Sequence, residues 1–293
     1  MDTQNKLKKE ISLKELTTFR IGGKAKYFLE ASNKEEVIEA IKWAKENSLP
    51  FFILGGGSNV LINDKKYKGL VIKLQTTNYK LLTNSMEVGA GLALGKIVGL
   101  ALQNSLAGME WAMGIPGTIG GAVYGNAGAF NQSISDAIEE VEVIDSKNQE
   151  LRIKNYKKEE CGFGYRDSIF KRDKNLIILS VKIKLQLGNK KEIENKMNEY
   201  FQKKKQTQPL EFFSAGSIFK NPEKFKAGEL IEKTGLKGKR IGGVEISQKH
   251  ANFIVNNGRG ASRDAKKLID LIKKQANKKF NIVLEEEIQL INF

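Results

Sequence analysis

The sequence predicts a fold of two or three domains that combines α-helices and β-strands, and three observations support this fold class. The chain has 293 residues, whereas one domain commonly holds about 100–200. Stretches with apolar residues at helical spacing occur between short apolar or alternating stretches that are typical of strands. Hydrophobic residues make up 40% of the chain and extend along its whole length, so we expect buried cores and no long disordered segment.

The first predicted unit, residues 16–75, combines strands with one helix. Its predicted elements are a strand and turn over residues 16–30, a helix after the capping-box pattern Ser32-Asn33-Lys34-Glu35, and strands over Phe51–Leu54 and residues 69–74. Val37, Ile38 and Ile41 share one face of that helix. Pro50 follows it, and proline cannot continue a helix.

The rest of the chain is predicted to form a strand-rich middle, residues 76–188, and a third unit, residues 210–293. The predicted elements are strands over residues 86–91, 140–145, 149–153, 176–185 and 282–291, a short helix near Leu94, a connecting helix around Ile193 and Met197 that ends near Pro209, and a helix capped by Ser262. In the fourth of these strands Val181 and Ile183 alternate with Lys182, which predicts a sheet with one wet face.

Cysteine and histidine are too scarce for several kinds of site. Cys161 and His250 are the single residues of their types, so the chain can form neither an internal disulfide nor a Cys/His metal site. A Ser-His-Asp triad would need His250, and no GxSxG motif accompanies it. An all-carboxylate metal site stays open, although no spaced cluster indicates one, and we predict no metal. Redox chemistry would therefore need an organic cofactor.

The sequence predicts that the protein is cytoplasmic and is not inserted in a membrane. No segment approaches the roughly 20 apolar residues of a membrane span, and the polar segment 1–10 lacks the apolar core of a signal peptide. The formal net charge of +15 leaves two interpretations, a polyanion-binding surface or lysines that merely solvate the protein. Runs such as residues 203–205 and 278–279 lack interleaved aromatic residues, which favours solvation and disfavours nucleic acid as a partner.

Two glycine-rich loops are candidate phosphate sites. Residues 55–59 directly follow an apolar strand, and residues 114–122 form a second glycine-dense loop. Glycine lets backbone N–H groups approach a ligand closely, and successive N–H groups can form an anion-binding nest. Neither loop matches the dinucleotide fingerprint or the P-loop. A tight turn without function is the alternative interpretation for each loop.

Three further motifs each have a functional and a structural interpretation. They are Tyr165-Arg166-Asp167-Ser168, the run Ala215-Gly216-Ser217-Ile218-Phe219-Lys220-Asn221-Pro222, and Leu284-Glu285-Glu286-Glu287-Ile288. The first two could be surface turns. In a strand, Glu286 would face away from Glu285 and Glu287, so one face could place carboxylates in a cleft or all three could be solvated.

Taken together, these motifs resemble the UDP-N-acetylenolpyruvoylglucosamine reductase family. The matching runs, in the order of the family, are Thr18-Phe19-Arg20-Ile21-Gly22-Gly23, residues 54–61, 114–128, 165–170 and 216–222, His250-Ala251-Asn252-Phe253-Ile254-Val255-Asn256, and residues 284–288. Each run is modestly specific, and seven in order are very specific. Without the resemblance, the residues indicate only a nucleotide-binding α/β enzyme.

The resemblance implies a vanillyl-alcohol-oxidase-type fold, with a two-part FAD-binding region and a C-terminal α+β substrate domain. We place these parts at residues 1–75, 76–205 and 206–293. It further implies FAD as cofactor, NADPH as co-substrate, and a UDP-sugar nucleotide as the partner to be reduced: UDP-N-acetylglucosamine enolpyruvate, a precursor for peptidoglycan. We predict that FAD is bound non-covalently, because His250 lies outside the flavin-binding loops; Cys161 stays open as an attachment site. The oligomeric state stays open.

The resemblance also assigns roles to individual residues. Ser217 matches the proton donor, and Arg166 and Glu287 match the pair that polarises the substrate carboxylate. The implied FAD contacts are Arg20, Gly55, Gly56, Gly57, Ser58, Asn59, Gly114, Ile115, Pro116, Gly117, Thr118, Gly120 and Gly121, and the implied substrate or nicotinamide contacts are Tyr124, Lys220 and Asn221. The role of His250 stays open, and Asn252 receives none.

The sequence departs from one branch of the family. That branch has an extra tyrosine-bearing loop before the third domain, for which residues 171–189 leave no room, so the chain resembles the shorter subclass. Glu286 and Gln289 replace the usual proline and arginine around the last acid, and Phe130-Asn131 replaces an aromatic-glycine step.

Two other functions remain as alternatives. The first is an oxidase of alcohols or hydroxy acids with the same fold, which would lack the set Ser217, Arg166 and Glu287 and would use oxygen. The second is a non-enzymatic binder of polyanions or nucleic acid, whose affinity would fall steeply with salt.

Overall fold

The computed structural model of the chain describes residues 3–148 and 150–293. The helices are α1 Lys34–Glu46, α2 Leu94–Gln103, α3 Ile119–Tyr124, α4 Ile169–Arg172, α5 Lys190–Thr207, α6 Ala227–Lys233 and α7 Ser262–Phe280. The strands are β1 Lys8–Ser12, β2 Lys24–Ala31, β3 Phe51–Leu54, β4 Val60–Ile62, β5 Tyr67–Leu74, β6 Tyr79–Leu81, β7 Ser85–Gly89, β8 Leu106–Ala107, β9 Gly128–Ala129, β10 Gln132–Ser133, β11 Ile138–Asp145, β12 Arg152–Lys157, β13 Leu176–Lys184, β14 Gln186–Leu187, β15 Phe213–Ser217, β16 Arg240–Ile241, β17 Val244–Ile246, β18 Phe253–Asn256 and β19 Gln289–Ile291.

The described residues divide into two compact units, each with its own hydrophobic core. Unit 1 comprises the chain through Lys9 together with residues 27–56 and 68–203. Unit 2 comprises residues 10–26, 57–67 and 204–293. The chain passes from one unit to the other several times near its start. Residues 10–26 and 57–67 therefore belong to unit 2, which is built mainly from residues 204–293. The predicted three-part division, with boundaries after residues 75 and 205, stays a prediction.

Unit 1 is built on two main sheets. Strands β1, β2, β5 and β3 lie side by side in that order, and β3 runs parallel to β5. The apolar face of α1, which includes Val37 and Ile41, belongs to the same buried core as Leu70 and Ile72 of β5. The second sheet has the order β12, β11, β13, β7, β6 and is antiparallel.

The alternation predicted for β13 is confirmed, because Val181 and Ile183 are buried whereas Lys182 and Lys184 are not. The strand predicted at residues 149–153 is shifted toward the C-terminus, since β12 begins at Arg152. Gln149 itself lies outside the described residues.

Unit 2 is built on a four-stranded antiparallel sheet with the order β15, β18, β17, β16. Helix α7 contributes Leu268, Ile269 and Ile272 to the core of this unit. A two-stranded parallel pair of β4 and β19 brings residues 60–62 beside residues 289–291.

The strand predicted over residues 282–291 is therefore wrong for most of its length. Only residues 289–291 form a strand, because only they have a continuous partner in β4. The prediction over residues 16–30 needs a similar correction, since the strand there, β2, begins at Lys24.

Both predicted helix caps are displaced by one residue. Asn33 caps α1 by accepting a hydrogen bond from Glu36 N, and the Glu36 carboxylate accepts one from Ser32 N, so the reciprocal acid is Glu36 and not Glu35. Ser262 is the first residue of α7 and not its cap, which is Ala261. The Ser262 hydroxyl instead donates to Asp64 at 2.9 Å. A cap is set by the backbone where the chain turns into the helix, and several polar residues in a row leave that point ambiguous.

The lysine run at residues 203–205 is not uniformly solvated. Lys204 is 3% exposed, and burial lowers its pKa to about 8. The interpretation of this run as surface is therefore wrong for Lys204. Among residues 3–148 and 150–293, no helix combines the length and the hydropathy that a bilayer span requires.

Candidate active site

The two glycine-rich loops meet in unit 1. A Cβ atom on Gly56 would lie 2.6 Å from Gly117 Cα, and one on Gly55 would lie 2.7 Å from Thr118 Oγ1. Separations this short exclude side chains. Glycine at these positions is therefore required for one loop to lie directly against the other, and the structure brings together two segments that the sequence separates by about sixty residues.

The second loop leads into α3. Gly114 and Gly117 have φ angles of +73° and +118°, a region that favours glycine. Thr118 caps the helix with its hydroxyl, which accepts a hydrogen bond from Gly121 N at 3.4 Å. A Cβ atom on Gly120 would lie 2.8 Å from Ala90 Cβ, so this glycine is required for packing. Gly121, in contrast, is exposed, and a Cβ atom there would make only an ordinary contact with Thr118 Oγ1, at 3.6 Å.

The end of the first loop, residues 57–59, belongs to unit 2. Gly57 has a φ of +64°, and a side chain there would collide with the carbonyl oxygen of Leu16. The Asn59 side chain donates to the carbonyl oxygen of Glu287 at 3.2 Å, and Asn59 O accepts from Gln289 N at 3.0 Å. Asn59 is predicted as a cofactor contact, but its side chain hydrogen-bonds the backbone of Glu287 in the last acidic run.

Arg166 has an uncommon backbone conformation, and its side chain bonds the segment that follows α3. Its φ of +55° is uncommon for a non-glycine residue. Its guanidinium donates to the carbonyl oxygen of Gly128 at 2.8 Å, and Lys171 Nζ donates to the Arg166 carbonyl oxygen at 2.9 Å. Strained conformations of this kind persist only where the surroundings hold them, and they cluster at functional sites.

The run around Arg166 is linked to the run around Tyr124 at two more points. Ser168 Oγ donates to Tyr124 O at 2.7 Å, and Asn126 Nδ2 donates to Gly164 O at 2.8 Å. Lys174 lies against Tyr124, with its ammonium group 4.9 Å from the ring centre and hydrogen-bonded to the hydroxyl. Tyr124 and Arg166 therefore belong to one cross-linked substructure of unit 1.

Phe130 and Asn131, which replace the usual aromatic-glycine step, form the turn between β9 and β10. Both have positive φ, at 55° and 60°, as a type I′ hairpin turn requires. The Phe130 ring stacks on Tyr200 with centroids 4.4 Å apart. This packing keeps a bulky residue in a conformation that usually favours glycine or asparagine.

Ser217 lies at the end of β15, immediately after a β-bulge. Ser214 lies opposite Val255 and Ser217 lies opposite Phe253, so Ala215 and Gly216 together face one residue of β18. Gly216 has a φ of +77°. A bulge changes the alternation of side chains that follow it. The bulge therefore decides the direction of the Ser217 side chain.

The segments of Ser217 and Glu287 lie side by side in unit 2. Glu287 N donates to Ile218 O at 2.8 Å, and Lys220 N donates to Glu285 O at 2.9 Å. These bonds connect residues that are almost seventy positions apart. The structure therefore places the predicted proton donor and the predicted carboxyl group on adjacent segments.

Two of the three adjacent acids, Glu285 and Glu286, have different partners. Glu285 forms an ion pair with Lys220, with Nζ and Oε1 2.5 Å apart. Glu286 accepts two hydrogen bonds from Lys273 of α7, both 2.8 Å long. Glu286, which replaces the usual proline, is thus hydrogen-bonded to α7. Lys220, predicted as a substrate contact, is paired with Glu285.

Two other predicted contacts also lie in unit 2 and have structural partners. The Arg20 guanidinium is hydrogen-bonded to Glu15 and lies 5.6 Å from the Phe213 ring centre. Asn221 Oδ1 accepts a hydrogen bond from Ala227 N at 3.0 Å, at the start of α6. Unit 1 contains Gly55, Gly56, residues 114–121, Tyr124 and Arg166, and unit 2 contains Arg20, residues 57–59, Ser217, Lys220, Asn221 and Glu287.

No role is predicted from the sequence for the two asparagines at the ends of the run 252–256. Asn252 and Asn256 are 3% and 1% exposed, and both use their side chains to bind backbone of other segments. Burial lowers the pKa of the neighbouring His250, whose Nδ1 accepts a hydrogen bond from Asn252 N at 3.3 Å. The available signal was two asparagines that bracket an apolar strand, because buried amides are normally hydrogen-bonded.

Two protein-family models match separate parts of the chain. A model of the FAD binding domain matches residues 25–154. A model of the UDP-N-acetylenolpyruvoylglucosamine reductase C-terminal domain matches residues 208–291. The chain is also similar to wild-type Phl p 4.0202, a glucose dehydrogenase, with 14% identity and a TM-score of 0.50 over 64% of this chain and 42% of that one. That last similarity concerns the fold alone.

Several relatives are similar over almost the whole chain. UDP-N-acetylenolpyruvoylglucosamine reductase of Caldanaerobacter subterraneus subsp. tengcongensis is 41% identical over 95% of this chain and 91% of its own length. The reductase of Clostridium novyi is 38% identical over 98% and 93%. The crystal structure of the reductase from Thermus caldophilus has a TM-score of 0.82 and 36% identity over 96% of this chain and 97% of that one. The predicted vanillyl-alcohol-oxidase-type α+β fold is confirmed, and the chain belongs to the UDP-N-acetylenolpyruvoylglucosamine reductase family.

Proposed function

We propose that this chain uses NADPH and FAD to reduce the enolpyruvyl group of UDP-N-acetylglucosamine enolpyruvate, which yields UDP-N-acetylmuramate. Full-length relatives named for this reductase support the reaction. The structural observation that carries it is the hydrogen bond between Glu287 N and Ile218 O, 2.8 Å long, which holds the segment of the proposed acid beside the segment of the proposed proton donor.

The glycine loops fit FAD. Gly56 and Gly121 are exposed and present backbone without side chains, as close approach of a pyrophosphate requires. We propose that FAD is held by the residues that the resemblance assigns, with Asn59 acting through the main chain of Glu287. When bound, FAD supplies the hydride that NADPH provides.

Non-covalent binding of FAD fits the surroundings of the two residues best able to attach it. Cys161 is fully buried, and burial raises the pKa of its thiol to about 12, so the nucleophilic thiolate is scarce. His250 lies in unit 2 and keeps Nδ1 as the acceptor of a backbone hydrogen bond.

The proposed catalytic residues act on the enolpyruvyl group. Addition of hydride to one carbon of the double bond moves the electron pair to the other carbon and to the attached carboxylate. Arg166 holds that carboxylate through a planar fork of donors. Glu287, as a protonated carboxyl group, donates to the developing charge. Ser217 gives its proton to the electron-rich carbon, which completes the reduction.

Gly121→Val is expected to weaken FAD binding by about tenfold or more, with little change in thermal stability. Gly121 lies in the first turn of α3, where a Cβ atom would meet only Thr118 Oγ1, at 3.6 Å, so the protein accommodates the Cβ atom and the added side chain would obstruct the cofactor. Titration of FAD into apoprotein measures the affinity, and thermal unfolding of the apoprotein measures the stability.

Gly95→Val is the matched control for this substitution. Gly95 is also exposed in the first turn of a helix, α2, with no atom within 4 Å of a Cβ position. Equal FAD affinities of the two variants would remove residues 114–121 from the proposed cofactor site. Gly57 is less suitable for this test, because a side chain there would disturb the backbone of Leu16.

The proposed function is tested by the visible absorption of the purified protein under anaerobic conditions. We expect a yellow protein that bleaches with NADPH and recovers its colour with the enolpyruvyl nucleotide. Acid precipitation should release the colour into the supernatant. Bleaching by an alcohol with recovery in air would indicate an oxidase, and a colourless protein that cannot be reconstituted with FAD would refute the proposal.

The cellular setting follows from the proposed reaction. UDP-N-acetylmuramate is a peptidoglycan precursor, so we propose a cytoplasmic role in cell-wall synthesis, and through it in cell shape and division. We also retain the proposed three-part organisation, with two FAD-binding parts at residues 1–75 and 76–205 and a substrate domain at residues 206–293.

A further inference from the structure

Asn252 binds the two residues that directly follow Ser217. Its side-chain oxygen accepts from Phe219 N at 3.0 Å, and its side-chain nitrogen donates to Phe219 O at 2.8 Å. Its main-chain oxygen accepts from Ile218 N at 2.8 Å. Three hydrogen bonds from one buried residue therefore hold the chain where it leaves β15.

These bonds replace backbone pairing at the point where the sheet ends. The register of β15 with β18 stops at Ser217 and Phe253. A primary amide presents one donor and one acceptor side in the way a peptide group does. The Asn252 side chain therefore bonds Phe219 as the peptide group of a neighbouring strand would. This contact lies just after the bulge that decides the direction of the Ser217 side chain.

The residues held by Asn252 also hold the acidic run. Ile218 O accepts from Glu287 N at 2.8 Å, and Phe219 forms an antiparallel bridge with Glu286. Ile218 and Phe219 thus lie between Asn252 on one side and Glu286-Glu287 on the other. A shift of this dipeptide would move Ser217 relative to Glu287.

His250 supports the orientation of Asn252. Its Nδ1 accepts from Asn252 N at 3.3 Å, and its ring packs edge-on against Phe253 with centroids 4.9 Å apart. Burial lowers the pKa of His250, which keeps the ring neutral and Nδ1 free to accept. The backbone of Asn252 is therefore fixed at the same place as its side chain.

We propose that Asn252 is a positioning residue for the reduction. It acts through the main chain of Ile218 and Phe219, and it holds the Ser217 hydroxyl in the position beside the Glu287 segment that proton transfer requires. This inference rests on the proposed function, in which Ser217 is the proton donor. Misplacement of a reacting group by about 1 Å can cost about 100-fold in rate, so a residue that only positions the donor can have a large effect.

The variants Asn252→Asp and Asn252→Ser test the inference on FAD-loaded protein. Aspartate keeps the size and the acceptor but removes the donor to Phe219 O, and serine is shorter and retains one hydroxyl. We expect either variant to slow reoxidation of the protein by the enolpyruvyl nucleotide about 10- to 100-fold. Reduction by NADPH should stay within about twofold of wild type, since Ser217 has no part in that step. If one variant fails to retain FAD, the other supplies the measurement.

Asn256→Asp is the matched control. Asn256 lies in the same run, is 1% exposed, and also donates its side-chain amide to backbone, but to Phe19 O at 2.9 Å. It does not bond the residues after Ser217 in the described structure. We expect this variant to lose stability or FAD affinity while the ratio of its two half-reaction rates stays that of wild type.

A double-mutant cycle with Ser217→Ala separates the inference from the proposed function. If Asn252 acts through Ser217, Asn252→Asp adds little further loss of the oxidative step in the Ser217→Ala background. Additive losses, or a normal oxidative rate in both FAD-loaded Asn252 variants, would overturn the positioning role alone. A normal oxidative rate in Ser217→Ala would overturn the proposed role of Ser217 and the inference with it.

Discussion

Ser217→Ala is expected to slow reoxidation by the enolpyruvyl nucleotide by about 10²–10⁴-fold, the usual contribution of a general acid. The hydroxyl is proposed to protonate the carbon that hydride addition leaves electron-rich, and alanine has no proton to give. Flavin binding and reduction by NADPH should stay near normal, because neither step uses this proton. Stopped-flow absorbance follows both half-reactions in the same protein.

Two outcomes would contradict this role for Ser217. A normal oxidative step would mean that the residue only shapes the end of β15. Equal damage to both half-reactions would indicate a misplaced cofactor. Ser180→Ala, a half-buried serine in the middle of β13 of unit 1, is a suitable control and should leave both rates unchanged.

Arg166→Lys is expected to lower kcat by about 10²–10³-fold, which corresponds to about 2.7–4 kcal/mol by analogy with the loss of one oxyanion-hole donor. Lysine keeps the charge but not the planar pair of donors. It would also lose the guanidinium bond to Gly128 O, 2.8 Å long, that orients the side chain. Steady-state kinetics at saturating NADPH and nucleotide measure the loss.

The backbone should tolerate this substitution of Arg166. The φ of +55° costs lysine about as much as arginine, so the backbone adds no loss of thermal stability beyond that of the bond to Gly128 O. Arg152→Lys provides the control, because Arg152 is exposed on β12 and pairs only with Glu150 among the bonds described for its side chain. Turnover of Arg166→Lys within about tenfold of wild type would exclude a role in binding the developing charge.

The sequence predicted those elements whose signal is local. β3 coincides with the apolar run Phe51–Leu54, and α2 coincides with the apolar residues at helical spacing from Leu94 onward. The alternation of β13 also appears in the structure. Each of these signals is contained within about ten residues, because side-chain periodicity follows directly from the geometry of helix and strand.

Local signals were insufficient where a partner segment decides the conformation. Residues 284–288 lie inside the segment predicted as a strand, yet regular pairing begins only at Gln289 because β4 is the available partner. Lys204 lies in a run that resembles solvated surface, and only packing of the folded chain shows that it is buried. Asn59 has the sequence context of a phosphate loop, but its amide donates to Glu287 O.

By itself, the sequence determined the α+β class, the two glycine-rich loops, the scarcity of Cys and His, and the seven runs that resemble one family. Only the tertiary structure decided that Gly56 lies against Gly117, that a bulge precedes Ser217, and that Asn252 holds the dipeptide between Ser217 and Glu287. The physical reason is the distance along the chain over which each kind of signal acts. Glycine content and periodicity act over a few residues, whereas the register of a strand and the partner of a buried amide depend on segments far away in the chain, which only the folded backbone brings within hydrogen-bond distance.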